Sequence, residues 1–332
     1  MSRNRTEKLA IDRAAPTPLY RQIYEYFRDA IMSGEMGVGE CLPSIRALQR
    51  DTGVARESIK QTMGLLDDHG LVRKIQGKGT FVAPRKASRS FWGVVVPFYA
   101  EFYNQMIVEL RKVAARRGIE VEHACDYDDY DRQAEIVDGF AWRQAEAVIL
   151  VPCREEKRAV GHLVRAARRQ PLVLFDRTSI ASALPYVIQD YALGVNLAVD
   201  AMIKGGARNI GYVRDPLWQP KNPIYQTMEQ AYHDACDTAN LEYRTIWDSP
   251  YDIAQTQLQA PEFDALMCVN DQVACLTVGL LKNNGIDVPG DVQVAGYNNS
   301  DVGRFFTPRI TTTDPDLERM CQEVENIIDR SR

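Results

Sequence analysis

Residues 72–83 read VRKIQGKGTFVA, and Gly77-Lys78-Gly79-Thr80 within them pairs flexible glycines with a lysine, the combination that cradles a phosphate. A P-loop places G-x-x-x-x-G-K-[ST] between a strand and a helix. Here Gly79 follows Lys78, the first glycine of that pattern is absent, and a β-rich run comes next. The stretch therefore fits a hairpin tip better than a nucleotide site. Its glycines permit positive φ, and Lys78 can sit beside a nucleic-acid phosphate.

A second set of chemical groups lies just upstream. In VARESIKQTMGLLDDHG the residues Arg56, Glu57, Ser58, Lys60 and Gln61 lie off the core stripe made by Ile59, Met63 and Leu66. Such side chains bond base edges or phosphates, although charges on one helix are also the ordinary pattern of a solvated face. Arg46 on the preceding segment, with Arg73, Lys74 and Lys78 on the hairpin, favours a common cationic surface.

A third set sits where apolar runs end. Phe98-Tyr99 and Phe102-Tyr103 follow WGVVVPF, Asp126 to Asp129 follow IEVEHAC, Asp176-Arg177 ends LVLFD, Asp190 ends YVIQD, and Asn270-Asp271 ends ALMCV. Aromatic rings stack on sugars or bases, and carboxylates accept hydrogen bonds from hydroxyls or amines. Each also has a plain structural role: Asn270 or Asp271 as a helix cap, Asp176 as the partner of Arg177, Phe102 and Tyr103 as core, and the aspartate-rich stretch as a solvated loop.

The elements that must carry these groups follow from periodicity. Leu19, Ile23, Tyr26, Phe27, Ala30 and Ile31 recur at helical spacing over about 18–33, and Gly34 stops the helix. PSIRALQRDTG predicts a short second helix ended by Gly53. The third runs to Gly70, and Leu71–Ile75 and Thr80–Val82 are two short strands. Three helices and a hairpin form a winged helix-turn-helix over 17–83. Residues 84–90, PRKASRS, read as a polar tether. From Phe91 strands alternate with helices at about 104–117, 131–143, 155–169, 192–204, 223–239 and 272–284, which predicts two doubly wound α/β arrays in series. The expected fold class is a winged head followed by a two-lobed α/β effector domain over 91–332. Lobe one takes about 91–177 and 300–332, and lobe two about 178–299. Ligands of open α/β sheets bind beyond the carboxyl ends of strands, so an inter-lobe cleft is expected.

Charge divides the same way. Residues 1–90 hold 16 Lys/Arg against 10 Asp/Glu, and residues 91–332 hold 24 against 35. A polyanion should meet the first part. The 332 residues contain no run of about 18 apolar residues, and MSRNRTEKLAIDRAAP lacks the apolar core of a secretory signal, so a cytoplasmic protein is expected. Seven scattered cysteines without C-x-x-C point to reduced thiols; no metal, cofactor or catalytic residue is expected. The four histidines, His69, His123, His162 and His233, are isolated from one another in sequence, and no hydrolase-like order or H-E-x-x-H occurs, which argues against an enzyme.

PLYRQIYEYFRDAIMSGEM, GECLPSIRAL, GVARESIKQTMGLLDDHGLV and QGKGTFV resemble, in order and spacing, the GntR family of bacterial transcription regulators. That resemblance implies a dimer on a palindromic operator, with DNA contacts at Arg46, Arg56, Ser58, Lys60, Gln76 and Gly77. Ala55 departs from the family's Ser or Thr and leaves the third helix without a side-chain cap, a loss of about 1 kcal/mol. Glu57 is also unexpected so near phosphates; it fits base selection or mild repulsion.

FDR, the Gly-Ala-Arg-Asn-Ile-Gly run, VNDQVA and VPGDVQVAGYNN resemble the effector domain of LacI/GalR repressors over about 91–320. A GntR-type head on such a body is the layout of arabinose repressors. The resemblance implies a small-molecule effector, a sugar or a derivative, at Phe102, Tyr103, Asp176, Asn270 and Asp271; Asp126 joins them from its strand-end position. Met228 stands where the group usually has an arginine, and Lys221 or Asn222 nearby is the expected substitute. The family also closes with one more strand after the helix beginning near Asp316, whereas the sequence here runs to IIDRSR, so that either a different C-terminal edge is exposed or another element covers it. The alternatives are a solute-binding protein, or a regulator whose cleft binds no small molecule.

Overall fold

The computed structural model describes residues 9–84, 90–154, 156–177, 184–215, 222–241, 245–253 and 262–331. It divides into two compact units. One comprises 1–98, 111–186 and 324–332, the other 99–110 and 187–323.

The first unit begins with the winged head: α1 (Leu19–Met32), α2 (Ile45–Thr52), α3 (Arg56–Asp68), β1 (Val72–Ile75) and β2 (Gly79–Val82). Ser44 starts α2 by accepting a hydrogen bond from the Ala47 N–H at 3.1 Å. Gly53 ends it at φ 66°, a left-handed position open to glycine. Two residues later α3 starts at Ala55 with no side-chain cap. The Thr62 hydroxyl on α3 donates to the Tyr20 carbonyl at 2.8 Å and ties α3 to α1. β1 and β2 pair antiparallel from Val72↔Val82 to Ile75↔Gly79, and Gly77 turns between them at φ 74°. Ile23, Phe27, Leu48, Ile59 and Leu66 form the head's core.

The first parallel sheet follows: β3 (Phe91–Val96), α4 (Glu101–Ala115), β4 (Glu120–Cys125), α5 (Tyr130–Trp142), β5 (Ala147–Leu150), α6 (Glu156–Ala167), β6 (Leu172–Phe175) and β7 (Tyr186–Val187). The strand order is β4-β3-β5-β6-β7. The central strands are buried along their whole length, which explains their unbroken apolar runs.

The second sheet comes from α7 (Tyr191–Lys204), β8 (Ile210–Val213), α8 (Pro223–Thr238), β9 (Ile246–Trp247), α9 (Pro250–Ile253), β10 (Ala265–Cys268), α10 (Asp271–Asn283), β11 (Gln293–Tyr297), α11 (Asp301–Phe305) and β12 (Thr311–Thr313), with α12 (Leu317–Arg330) after it. Its order is β12-β11-β10-β8-β9. Taken in chain order, both sheets follow second-first-third-fourth-fifth, so each has one switch point beside its first strand. The alternating pattern anticipates these layers, with differences at the margins. The strands expected at YVIQD and TIWDS shrink to two-residue edge strands, α4 starts three residues early, and the polar Thr311–Thr313 forms an unforeseen edge strand beside β11.

The head does not stand apart from the first sheet. Trp142, the last residue of α5, is buried in the head's own hydrophobic core. The expected tether at 84–90 falls mostly on 85–89, outside the described residues.

Two glycines test the packing in opposite directions. A Cβ on Gly93 of β3 would collide with the Phe140 ring, so Gly93→Ala should lower stability by about 1–3 kcal/mol. A Cβ on Gly64 within α3 meets nothing within 4 Å, so Gly64→Ala should raise it by about 0.5–1 kcal/mol. Urea unfolding of both variants measures the two signs.

Candidate nucleic-acid interface and effector residues

The head presents its polar groups outward. Arg46 on α2, Arg56, Glu57, Lys60 and Gln61 on α3, and Gln76, Gly77 and Lys78 at the wing tip are all exposed; Ser58 is half-buried. Glu57 is engaged, since Lys60 Nζ lies 2.9 Å from its Oε1, and this bond holds the carboxyl below its usual range. Its charge is thereby offset within the helix. Lys74 is held by Asp67 at 3.1 Å, so it is less available than Lys78.

In the first unit, the loop after β4 is organised by Asp126. Its wholly buried carboxylate accepts from Gln133 Nε2 at 2.5 Å and from the Asp128 N–H at 2.8 Å. Burial pushes its pKa up to about 6. Tyr127 and Asp128 are consecutive left-handed residues at φ 58° and 59°. This turn delivers Asp128 to Arg177, whose Nη1 is 3.0 Å from Oδ1, and to Arg154, whose Nε is 3.1 Å from Oδ2. Arg177 also donates to the Pro152 carbonyl at 3.2 Å. Asp176 closes β6 buried and at φ 64°. The Asp128–Arg177 pair is thus the charged centre of these strand ends. The sequence signal for it was the Asp-Arg step after LVLF, where the pairing had been assigned to the neighbouring aspartate.

In the second unit, Asn270 caps α10. Its Oδ1 accepts the Val273 N–H at 2.8 Å and its Nδ2 donates to Asp215 at 3.1 Å. Asp271 is buried; it accepts from the Ser300 N–H at 2.5 Å and from the Thr312 hydroxyl. A Cβ at Gly296 or Gly303 would strike Asp271. Burial raises its pKa. It pins the 298–312 segment to the start of α10. Asn222 caps α8 by accepting from the Ile224 N–H at 3.1 Å, while Lys221 lies outside the described residues. Phe102 and Tyr103 occupy the first turn of α4 with their rings edge-on at 5.6 Å; Tyr103 is buried.

Met228 is buried in the second sheet's apolar core. A guanidinium nonetheless stands close by, just past a strand end. Arg214, directly after β8, forms a two-pronged pair with Glu229 at 2.9 and 2.6 Å and reaches Asp248 at 2.6 Å. The sequence reading missed it because it searched the helix and the QPKNP loop. The strand-end arginine after NIGYV was the available signal.

The model for bacterial regulatory proteins of the gntR family matches residues 19–82, and that for a periplasmic binding protein-like domain matches 199–330. The chain thus carries a gntR-type domain at its head and, over 199–330, a periplasmic binding protein-like domain. It is 24% identical over 329 residues to an arabinose metabolism transcriptional repressor of Geobacillus stearothermophilus, covering 94% of this chain and 90% of that protein. It is 26% identical over 244 residues to the ribose operon repressor of Haemophilus influenzae, covering 70% of each. Among solved structures, a LacI-type regulator from Alkaliphilus metalliredigens complexed with D-xylulofuranose matches with a TM-score of 0.60 at 19% identity, over 73% of this chain and 91% of the other. That likeness establishes the fold of the body. No helix among the described residues is long and apolar enough to cross a membrane, and no group of three or more His, Cys, Asp or Glu there could hold a metal ion.

Asp126 makes the body's strand-end loop sensitive to pH. Its carboxyl ionises less readily folded than unfolded. Its stabilising contribution is therefore complete below about pH 4 and lost as pH rises through about 6. Asp126→Asn should remove that dependence, so the variant's stability relative to wild type rises by about 1–3 kcal/mol between pH 4 and 7. Denaturant unfolding at the two pH values measures this difference.

Proposed function

We propose that this protein is a repressor that binds a palindromic operator as a homodimer, and whose operator affinity is set by a small polar ligand, a sugar or sugar derivative, held by the strand-end residues of its body. The observation that carries the reading is the exposed set Arg46, Arg56, Lys60, Gln76 and Lys78 on a GntR-type head, joined to a body of the same fold as sugar-bound regulators. The arabinose and ribose repressors among its relatives support the ligand class. Within the second unit, the aromatic pair Phe102–Tyr103 suits a sugar face and the Arg214–Glu229 pair supplies oriented acceptors and donors for hydroxyls; within the first unit, taken by itself, the Asp128–Arg177 pair offers the same polar chemistry. Leu276, Val302 and Phe305 remain exposed on the adjoining helices α10 and α11 and support association with a second copy. The protein acts in the cytoplasm, with its DNA, as a binding protein and not as an enzyme.

One observation favours a second reading, a regulator without a small-molecule effector. Asn222 and Asn270 are spent on helix caps, Asp271 is closed into its own loop, and Met228 is apolar.

Two measurements separate these outcomes. Double-stranded DNA selected from a random pool by the full chain should bind with an affinity that falls steeply between 50 and 200 mM salt, on the order of a hundredfold or more. Arg46→Ala, Arg56→Ala and Lys78→Ala should each lower the logarithmic salt slope by about 1. Binding indifferent to salt and to all three changes would refute the DNA reading. For the ligand, thermal unfolding with L-arabinose, D-ribose, D-xylulose and their phosphates should show one compound raising the apparent stability by about 2.7 kcal/mol at a hundredfold excess over its Kd. A flat response across the panel supports the second reading.

A further inference from the structure

Helix α5 carries two different sets of contacts on its two sides. Towards its own sheet, Gln133 is buried, donates to Asp126 at 2.5 Å and to the Val151 carbonyl at 3.0 Å, and so binds the helix to the loop that presents Asp128. Away from the sheet, the helix meets the head. Arg21 of α1 is 6% exposed; its Nη1 is 2.8 Å from Glu135 Oε1, and its Nη2 donates to the Asp131 carbonyl at 3.1 Å. Two turns further along α1, Arg28 Nη1 lies 3.4 Å from Asp138, a carboxylate that His162 and Arg169 also approach at 3.4 and 3.6 Å. At the far end of α5, Trp142 enters the head's core.

The same helix holds the end of the DNA-reading helix. His69 is the C-terminal cap of α3. Its Nδ1 shares a 2.8 Å hydrogen bond with the Tyr24 hydroxyl, and its Nε2 lies 3.8 Å from Glu135. A Cβ on Gly139 of α5 would lie 3.2 Å from the His69 carbonyl oxygen, so glycine there permits the close approach. The Arg143 side-chain stem lies in ordinary van der Waals range of Gly70. α1 and the C-terminal end of α3 are therefore both seated on α5, while Arg56, Lys60, Gln61, Gln76 and Lys78 face solvent. The seat leaves the reading surface open.

We infer that the head is clamped to α5 as a rigid extension of the first sheet, that this clamped form is the one that binds DNA, and that Arg21, Arg28 and Trp142 are the positioning residues that fix the reading helix to the effector-binding body. This inference rests on the DNA-binding function proposed above. It assigns the control of operator geometry to the α1–α5 joint in place of the segment between the head and β3. A movement of the Asp126–Asp129 loop then reaches α3 through one helix, with Gln133 on its inner side and Glu135 on its outer side.

Rigid heads on a dimer accept one half-site spacing, whereas heads on a slack tether accept several. DNA selected from a random pool by the full chain supplies the operator, and variants with one base pair added to or removed from its centre supply the probes. Wild type should lose on the order of tenfold or more in affinity when the spacing changes. Trp142→Ala, and independently Arg21→Met, should bind the original and altered spacings within about threefold of one another. Unchanged far-UV circular dichroism shows that the variants are folded, and the milder Glu135→Gln covers the case in which one is not. Calorimetry of the DNA-free chain adds a readout that needs no operator: head and first sheet should melt in one transition in wild type and in two in Trp142→Ala. A wild type already tolerant of altered spacing, variants as strict as wild type, or a separately melting wild-type head would each overturn the clamp. Recovery of no DNA by any form would count against the DNA-binding function, and the calorimetry would still decide the clamp.

Discussion

Arg21 and Glu135 form a buried ion pair 2.8 Å apart, with both side chains almost closed to solvent. Forming such a pair gains little over an apolar contact, because both ions must be desolvated. Removing one partner costs about 3–5 kcal/mol, because the other charge is left buried. The pair is therefore an intolerant fastening, selective for one placement of α1 on α5. Trp142 supplies the apolar side of the same contact by completing a core that the small head shares with its neighbour. A domain of under 70 residues buries a modest core, and an indole borrowed from α5 enlarges it. The orientation of the head and the folding of the first sheet thus depend on one another.

Five of the eight non-glycine residues with positive φ among the described residues lie just beyond strand ends. Tyr127, Asp128, Asp176, Asn298 and Asn299 hold positive φ without being glycine, and each follows the carboxyl end of β4, β6 or β11. Left-handed conformations at such residues cost about 1–2 kcal/mol apiece and persist only where surrounding contacts impose them. Here the contacts are identifiable: Asp126 with Gln133 in one unit, and Asp271 with Ser300 and Thr312 in the other. Both buried carboxylates act as scaffolding. They hold the strand-end loops in fixed shapes, with the Asp128–Arg177 pair beside the first of them.

This scaffolding bears on which parts of the molecule were legible in the sequence. The head could be read closely, because Ile23, Phe27, Leu48, Ile59 and Leu66 keep strict helical spacing and because Gly53, Gly70 and Gly77 mark turns that only glycine enters cheaply. The doubly wound body followed from its apolar runs. Edge strands followed less well: β7 and β9, expected over YVIQD and TIWDS, are only two residues long, and the polar Thr311–Thr313 carried no strand signal. Residue types at the strand ends were also visible, but their roles were not: an aspartate that caps, one that pins a loop and one that meets a ligand look alike in one dimension. The α1–α5 joint was the least visible feature. Arg21, Arg28, Glu135 and Asp138 have the composition of solvated helix faces, and only the folded chain shows each charge opposite its partner across more than 100 residues of sequence.

The central claim is that the exposed basic face of the head binds DNA while α5 holds that face in place. Hydrogen exchange of the full chain, with and without the DNA it selects, examines both halves at once. The account predicts slowed exchange on adding DNA in peptides spanning residues 54–61 and 75–79, with α5 already protected in the unbound protein and unchanged by DNA. Protection confined to the body, or an α5 that exchanges freely until DNA is added, would contradict it.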